Sequence, residues 1–449
     1  MNGSEIAILV ALIAFLVVGL SARRANSSDW VDLFSANKQA SFLQIAAGMF
    51  TLIGAGEIVA LSTLSFLFGF AGMFLFLGYG LAFIGVGLLS SRLVSTKEAI
   101  KSSTLVDYCK IHFGPLTGSA VLIISILAFF SLLMLQFSTL GLVLTNVTSF
   151  SREVVIVISS FVLMVYVYRG GMRAVFRTDI FQAILMFALL LVFVAQIATN
   201  GSQPDITAFE SAPFAYSWGL AVVGFLVGIC SADVWQRILA TNKPQSALRG
   251  GICGGIALLI YGGLLSYIGM SAFAIDPNSS PDDAFFTAIG PTLAGDAPYV
   301  IVFLLLAALL STADTELFLV SGLVTKAVIE TYGKSVRPKY ANYSYVCSLS
   351  VVTGMSALFA IYFVNLVQIY TWLLYFLLAL PGPLLFGVKR YLSDFGIAIS
   401  IGLNVCLIAA AAISGAVSIE NIYLLIVPTF GIPLAIVILY LCRFGKVER

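Results

Sequence analysis

Thirteen mostly apolar stretches follow one another along this chain, most of them at or above the roughly 20 residues a helix needs to cross a bilayer. They lie near 5–22, 42–66, 69–91, 117–147, 153–168, 178–199, 215–239, 249–274, 298–325, 342–363, 365–388, 395–416 and 421–442. Lipid offers no hydrogen bonds, so backbone N–H and C=O groups must be satisfied inside each segment, and such a series folds as a bundle of helices. Composition agrees: 60% of the residues are hydrophobic and 10% charged, against roughly 25% charged in soluble domains. The expected fold class is all-α integral membrane protein with 13 transmembrane helices. Glu5 to Leu20 lacks a basic leader and a clear small-residue cleavage site, so it is expected to remain as a helix.

Lys and Arg set the orientation. With the N-terminus outside, 22 of the 23 basic residues fall on the inward side, and only Arg152 lies outward. Arg23, Arg24 and Lys38 begin the inward set, Lys326, Lys334, Arg337 and Lys339 sit in a later inward loop, and Lys446 and Arg449 close it. Outward loops carry acids instead: Asp205, Glu210, Asp276, Asp282, Asp283 and Asp296. The expected location is the cell inner (plasma) membrane, with a cytoplasmic C-terminus. The six cysteines show no metal-ligand spacing, and the one histidine, His112, rules out a His-based metal site or triad. An enzyme is therefore not expected. The inward stretch Ser95 to Phe113 is expected to hold a short surface helix over Leu105 to Ile111. The outward loop Ile275 to Pro298 is either a lid or a plain connector.

Three places break the apolar pattern. Ser311-Thr312-Ala313-Asp314-Thr315 interrupts the ninth stretch. An Asp at mid-membrane costs about 2.5–3.5 kcal/mol on insertion scales, so such a run faces a cavity, an ion or a partner helix. On a helix Ser311, Asp314 and Thr315 share one face and Thr312 lies beside them. Gly54-Ala55-Gly56-Glu57 interrupts the second stretch. It is either close packing through small residues or an unwound segment whose carbonyls can replace the hydration shell of Na⁺. The seventh stretch ends Ser231-Ala232-Asp233-Val234-Trp235-Gln236-Arg237. Asp233 either pairs with Arg237 one turn on or lies along a solute path. Five helices over about 42–199 are followed by five over about 215–388, each block opening on an interrupted or acid-bearing span. An odd number per block inverts the second against the first, the architecture of secondary transporters. The organisation expected is a leading helix and loop (1–40), a first repeat (41–199), a second inverted repeat (200–390) and two trailing helices (391–449).

Several stretches resemble the sodium/solute symporter family, which includes bacterial proline and sialic acid carriers and sodium–glucose carriers. Tyr168-Arg169-Gly170-Gly171-Met172-Arg173-Ala174-Val175-Phe176-Arg177-Thr178-Asp179-Ile180-Phe181-Gln182 is similar to one family signature. Gln236-Arg237-Ile238-Leu239-Ala240 with Ala247 and Arg249-Gly250 is similar to a second, and Ala307 to Asp314 to a third. Thr104 to Tyr108 and Phe113-Gly114 match the loop before the fourth span. The resemblance implies an inverted five-plus-five (LeuT-type) core with one leading and two trailing helices, and Na⁺ as coupling ion. It further implies a main sodium site of the Thr51, Gly54 and Ala308 carbonyls with the Ser311 and Thr312 hydroxyls. A possible second cation site comprises Asp179, Ser311, Asp314 and Thr315. Many relatives hold Ser in place of Asp314; the extra carboxylate strengthens that site or carries a proton. Asp179 is otherwise explained as a helix-capping Asp.

The resemblance places Glu57, Ile58, Ser231 and Asp233 along the solute path. Sugar carriers of the family have an aromatic gate at the place of Asp233 and a polar sugar contact at that of Ile58, so sugar is discounted. Two acids on the path favour a cationic, zwitterionic or amide-type solute: an amino acid, an amine or a urea-like molecule. Trp218, Trp235, Tyr261 and Tyr267 either line a cavity through cation–π contacts or are packing and interface aromatics. Sodium-coupled symport is the function expected, with a solute sensor built on the same fold, without net transport, as the alternative. The partners expected are a small-molecule solute and the lipid bilayer; nothing points to nucleic acid or to an obligate protein partner.

Overall fold

The computed structural model describes residues 3–21, 33, 35–145, 149–199, 204, 214–293, 298–332 and 338–444. Arg23, Arg24, Lys334, Arg337, Lys446, Arg449, Asp205, Glu210 and Asp296, used above to set orientation, lie outside these residues. Helix α1 (Gly3–Leu20) is followed by α2 (Phe42–Phe50) and α3 (Ala55–Phe68), two halves of one interrupted segment. Next come α4 (Met73–Leu93), the short α5 (Lys97–Lys101) and α6 (Leu105–His112), then the long α7 (Pro115–Thr145), α8 (Arg152–Gly170) and α9 (Met172–Thr199). The second half opens on another interrupted segment, α10 (Phe214–Ile229) and α11 (Ala232–Leu239). It continues through α12 (Pro244–Ile275), α13 (Ala284–Leu293), α14 (Pro298–Tyr332), α15 (Pro338–Tyr362), α16 (Leu366–Leu378) and α17 (Pro381–Val388). α18 (Asp394–Ile413) and α19 (Ile426–Phe444) close the fold.

Each apolar stretch is helical over most of its length, but the count differs from thirteen. Among the described residues ten helices are long and apolar enough to cross a membrane, or eleven with the pair Ala215–Ile229 and Ala232–Leu239, which bends by 47° at its break. Two features account for the difference. Of α1, an apolar helix of 18 residues, only Ile8–Leu20 enters that count, as a shorter apolar piece. The second and third stretches run on as one apolar segment, Gly56–Leu93 of 38 residues, about 57 Å if straight and so nearly twice a bilayer core. Gly69, at φ 58°, divides that segment, a backbone angle that only glycine adopts freely.

α14 forms the centre, packed by α1, α7, α8, α9 and α15, and 94% of its apolar window is buried inside the protein. It thereby carries the polar run Ser311 to Thr315 into the interior. α2 and α3 lie against α12, and α7 spans between α14 and α16. α18 and α19 are peripheral, with 28% of each window buried. Small residues let backbones touch where lipid gives no hydrophobic drive for helices to associate. A Cβ on Gly78 of α4 would stand 2.0 Å from the Ala221 carbonyl of α10, and one on Gly224 of α10 2.1 Å from the Leu75 carbonyl of α4.

The basic connections on one side are tied together. Lys38 Nζ donates to the carbonyls of Ala99 at 2.8 Å, Ser102 at 2.6 Å and Leu239 at 3.2 Å. Ala40 N–H donates to Ala240 O at 3.0 Å, beside a single antiparallel bridge between Gln39 and Thr241. The expected surface helix is α6; Thr104 and Asp107 cap it reciprocally. Asp107 also pairs with Lys326 of α14, and Lys110 pairs with Glu330 at 2.7 Å. On the opposite side, residues 281–283 form a 3-10 turn packed on α3, and α13 packs on α12, α3 and α9.

Candidate functional site

The helix break at Thr51 to Gly54 is built by its own residues. Gly54 is extended (φ −85°, ψ −174°) and starts α3. Its N–H donates to Glu57 Oε2 at 3.0 Å, so the acid caps the half-helix that it opens. Gln136 of α7 clamps the same turn: its Nε2 donates to Glu57 Oε2 at 2.8 Å, and its Oε1 accepts from Gly56 N–H at 3.1 Å. No side chain fits at residue 54, because a Cβ would lie 2.5 Å from both Gln136 Oε1 and Thr312 Oγ1.

That close approach sets α14 against the break. Thr312 Oγ1 donates to Thr51 O at 2.9 Å, and Ser311 Oγ donates to Ala308 O at 2.8 Å. The structure therefore brings Thr51 and Gly54 against Thr312, with Ala308 and Ser311 on the same helix as Thr312. All are buried, and the donor set is three carbonyl and two hydroxyl oxygens, none charged. Hard oxygen donors suit a hard monovalent cation, and neutral ones leave it free to depart.

The neighbouring cluster is arranged around a guanidinium. Asp179, in the interior of α9 and not at its start, accepts from Thr51 Oγ1 at 2.8 Å and pairs with Arg237 Nη2 at 3.3 Å. The same Nη2 donates to Thr315 Oγ1 at 2.9 Å. Asp314 Oδ2 accepts from Tyr166 at 2.8 Å and Thr178 at 2.9 Å. Ser311 accepts through its carbonyl from Thr315 at 3.3 Å. Arg237 and Asp179 are both 0% exposed. Two of the alternatives are thus decided: Asp179 does not cap its helix, and Arg237 pairs across the bundle with Asp179 and not along the helix with Asp233. Beside this network Glu316 is fully buried, and neither of its carboxylate oxygens has a hydrogen-bond partner; Gln182 and Gln236 share that state. Sequence reasoning missed Gln136, Tyr166 and Glu316. Glu316 directly follows the polar run and was open to notice as a further intramembrane acid.

A narrow cavity with about 40 Å³ of water-accessible space lies between the two helix breaks, enough for a few waters. Glu57, Ser231 and Asp233 line it. Ser231 and Val234 N–H both bond Asp233 Oδ1, the latter at 2.6 Å. Ile58 is buried but is not part of the lining. The cavity's aromatic walls are Phe76, Tyr79, Phe83, Phe129 and Tyr370; of the two readings of Trp218, Trp235 and Tyr261, the structure shows packing. Trp235 is held by Ile229 O at 2.8 Å, Trp218 packs edge-on to Phe74, and Tyr261 packs on Phe50. A second cavity of about 430 Å³ lies on the side of the Pro281–Asp283 turn, with Thr63, Asp282, Gln368 and Thr371 in its wall. α16 contributes to both cavities and stands between them.

These helices and breaks define a helical membrane fold built around two interrupted segments. Over 100% of this chain and 99% of the other, the structure superposes on a Na⁺-coupled sialic acid symporter in a substrate-bound outward-open state, with TM-score 0.80 and 16% identity. A nucleobase-cation-symport-1 family transporter, in a closed conformation with bromovinylhydantoin bound, matches with TM-score 0.63 and 14% identity over 91% of this chain and 93% of its own. The fold is LeuT-like. In sequence the chain is 27% identical over 209 residues to a Drosophila melanogaster protein assigned as a sodium-dependent multivitamin transporter, a match covering 39% of this chain and 33% of that one. The match thus spans about a third of that relative's length. No family model matches the chain. Fold and partial sequence likeness agree with the resemblance to the sodium/solute symporters, and the relatives are transporters, not enzymes.

Proposed function

We propose that the protein is a sodium-coupled secondary active symporter that imports a small polar solute (amino acid, amine or urea-like) by alternating access. It would span the inner (plasma) membrane with the N-terminus outside and the C-terminus cytoplasmic, and residues 41–199 and 200–390 would be the two inverted repeats. One observation carries this reading: the unwound Thr51–Gly54 segment meets Thr312, with hydroxyl to carbonyl at 2.9 Å. A sodium ion bound by Thr51, Gly54, Ala308, Ser311 and Thr312 would join the two segments and stabilise an outward-open state that accepts solute. Loss of the ion on the inner side would then release both. In the second cluster, Asp179, Ser311, Asp314 and Thr315, the Arg237 charge supports a reading in which this built-in cation serves the acids in place of a second sodium.

The test is a thermal-unfolding titration of purified protein with NaCl against KCl. Stabilisation by Na⁺ alone is expected, following a simple one-site curve. Ser311→Ala and Thr312→Ala should each raise the half-maximal Na⁺ concentration about tenfold, the worth of one lost ligand. An unchanged Na⁺ response in both variants refutes the assignment.

A further inference from the structure

Resting on the symport reading, the solute cavity itself narrows the class of solute. In carriers with broken helices, the half-helix N-termini offer positive dipole ends to an anionic group of the substrate. Here both ends are already taken by the protein's own acids. Glu57 Oε2 accepts from Gly54 N–H at 3.0 Å and Gln136 Nε2 at 2.8 Å. Asp233 Oδ1 accepts from Val234 N–H at 2.6 Å and from Ser231. All four bonds end on one oxygen of each carboxylate, Glu57 Oε2 and Asp233 Oδ1. The two residues are 5% and 3% exposed, and both line the cavity. Unpaired acids at such depth are costly and call for a positive partner. Neither this cavity nor the larger one beyond α16 has a Lys, Arg or His in its wall, and the larger one adds Asp282. Arg237 acts on Asp233 through its field, but its hydrogen bonds, both from Nη2, go to Asp179 and Thr315. The rest of the inner wall is apolar and aromatic, including Phe76, Tyr79 and Tyr370, surfaces that attract cations by their π faces.

We propose that the solute is a compact organic ammonium ion without a carboxylate, held between Glu57 and Asp233 and enclosed by aromatic rings. A carboxylate-bearing zwitterion would place its anion in a cavity with two acids, no base and no free helix terminus. A neutral urea-like solute would leave the acids without a counter-charge.

The experiment is thermal unfolding of the purified full chain in NaCl with added ethylamine, choline, glycine, glycine betaine or urea. Choline and glycine betaine share a trimethylammonium group and differ chiefly in the carboxylate. Ethylamine or choline is expected to stabilise, while glycine, glycine betaine and urea do not. Asp233→Asn, nearly isosteric, should weaken the ammonium affinity about tenfold and leave the Na⁺ shift in place. Glu57→Gln should act in the same direction. Equal stabilisation by glycine betaine and choline, stabilisation by urea alone, no ammonium response, or an Asp233→Asn variant with full ammonium affinity each overturns the inference. The symport reading fails separately, and only if the Na⁺ shift is absent or indifferent to Ser311→Ala and Thr312→Ala.

Discussion

At the scale of single residues the interior is governed by charge pairing. Arg237 and Asp179 are both fully buried, 3.3 Å apart, and Arg237 Nε and Nη1 have no protein hydrogen-bond partner. Removing one partner of such a pair strands a charge in low dielectric. Arg237→Met is therefore expected to destabilise the protein by about 3–5 kcal/mol, read as a lowered denaturation midpoint. The double variant Arg237→Met with Asp179→Asn should recover most of that loss, since neither charge is left alone; a double variant as unstable as the single one would show that the pair is not the cause. This pairing was hidden in the sequence, because a four-residue spacing points Arg237 to Asp233, and spacing along a helix says nothing of a helix packed across from it. Glu57 was legible as an intramembrane acid after Gly-x-Gly. Its capping bond to Gly54 and its clamp by Gln136 were not, because both depend on a turn that hydropathy cannot draw.

At the scale of elements, hydropathy located the helices and glycine located one break, yet the number of crossings stayed open where two apolar stretches join through Gly69. What holds neighbouring helices together is more local. A Cβ on Gly224 would sit 2.1 Å from a carbonyl of α4, whereas Gly402 of α18 has nothing within 4 Å. Gly224→Ala must push α10 off α4 and should lower the unfolding temperature; Gly402→Ala should be neutral or raise it slightly, as Ala favours a helix by about 1 kcal/mol over Gly. Thermal unfolding of the two variants side by side decides. The connections respond to pH instead. Burial pushes the Lys38 ammonium down from 10.5 to about 8, partly offset by Asp107. Below about pH 8 the folded protein carries a buried charge at a cost; between about 8 and 10.5 the folded form has shed the proton that the unfolded chain still holds. Stability contributed at Lys38 thus rises with pH across that window. Relative to Lys38→Met, the wild-type unfolding temperature should climb from pH 8 toward 10.5, and a gap that stays flat or shrinks contradicts the assignment.

For the whole molecule, the two cavities and the helix between them offer a link from the proposed ion site to solute access. The cavity of about 430 Å³ on the Pro281–Asp283 side and the acid-lined one are separated by α16, whose Thr371 faces the former and Tyr370 the latter. α16 packs on α7, and α7 in turn holds the Thr51–Gly54 break through Gln136 and packs on α14. On the symport reading, an ion joining the break to α14 would act on α16 through α7 as well as on its own ligands. A ligand shifts a conformational equilibrium only by its difference in affinity for the two states, so the shift must depend on the ligating hydroxyls. In a chain with its native cysteines replaced, Thr371→Cys should react with a membrane-impermeant thiol reagent about fivefold faster, or more, in Na⁺ than in K⁺. Adding Ser311→Ala should remove that difference while leaving the rate in K⁺ unchanged. Equal rates in the two salts would separate the ion from α16, and a Na⁺ effect that survives Ser311→Ala would place the responsible ion elsewhere in the bundle.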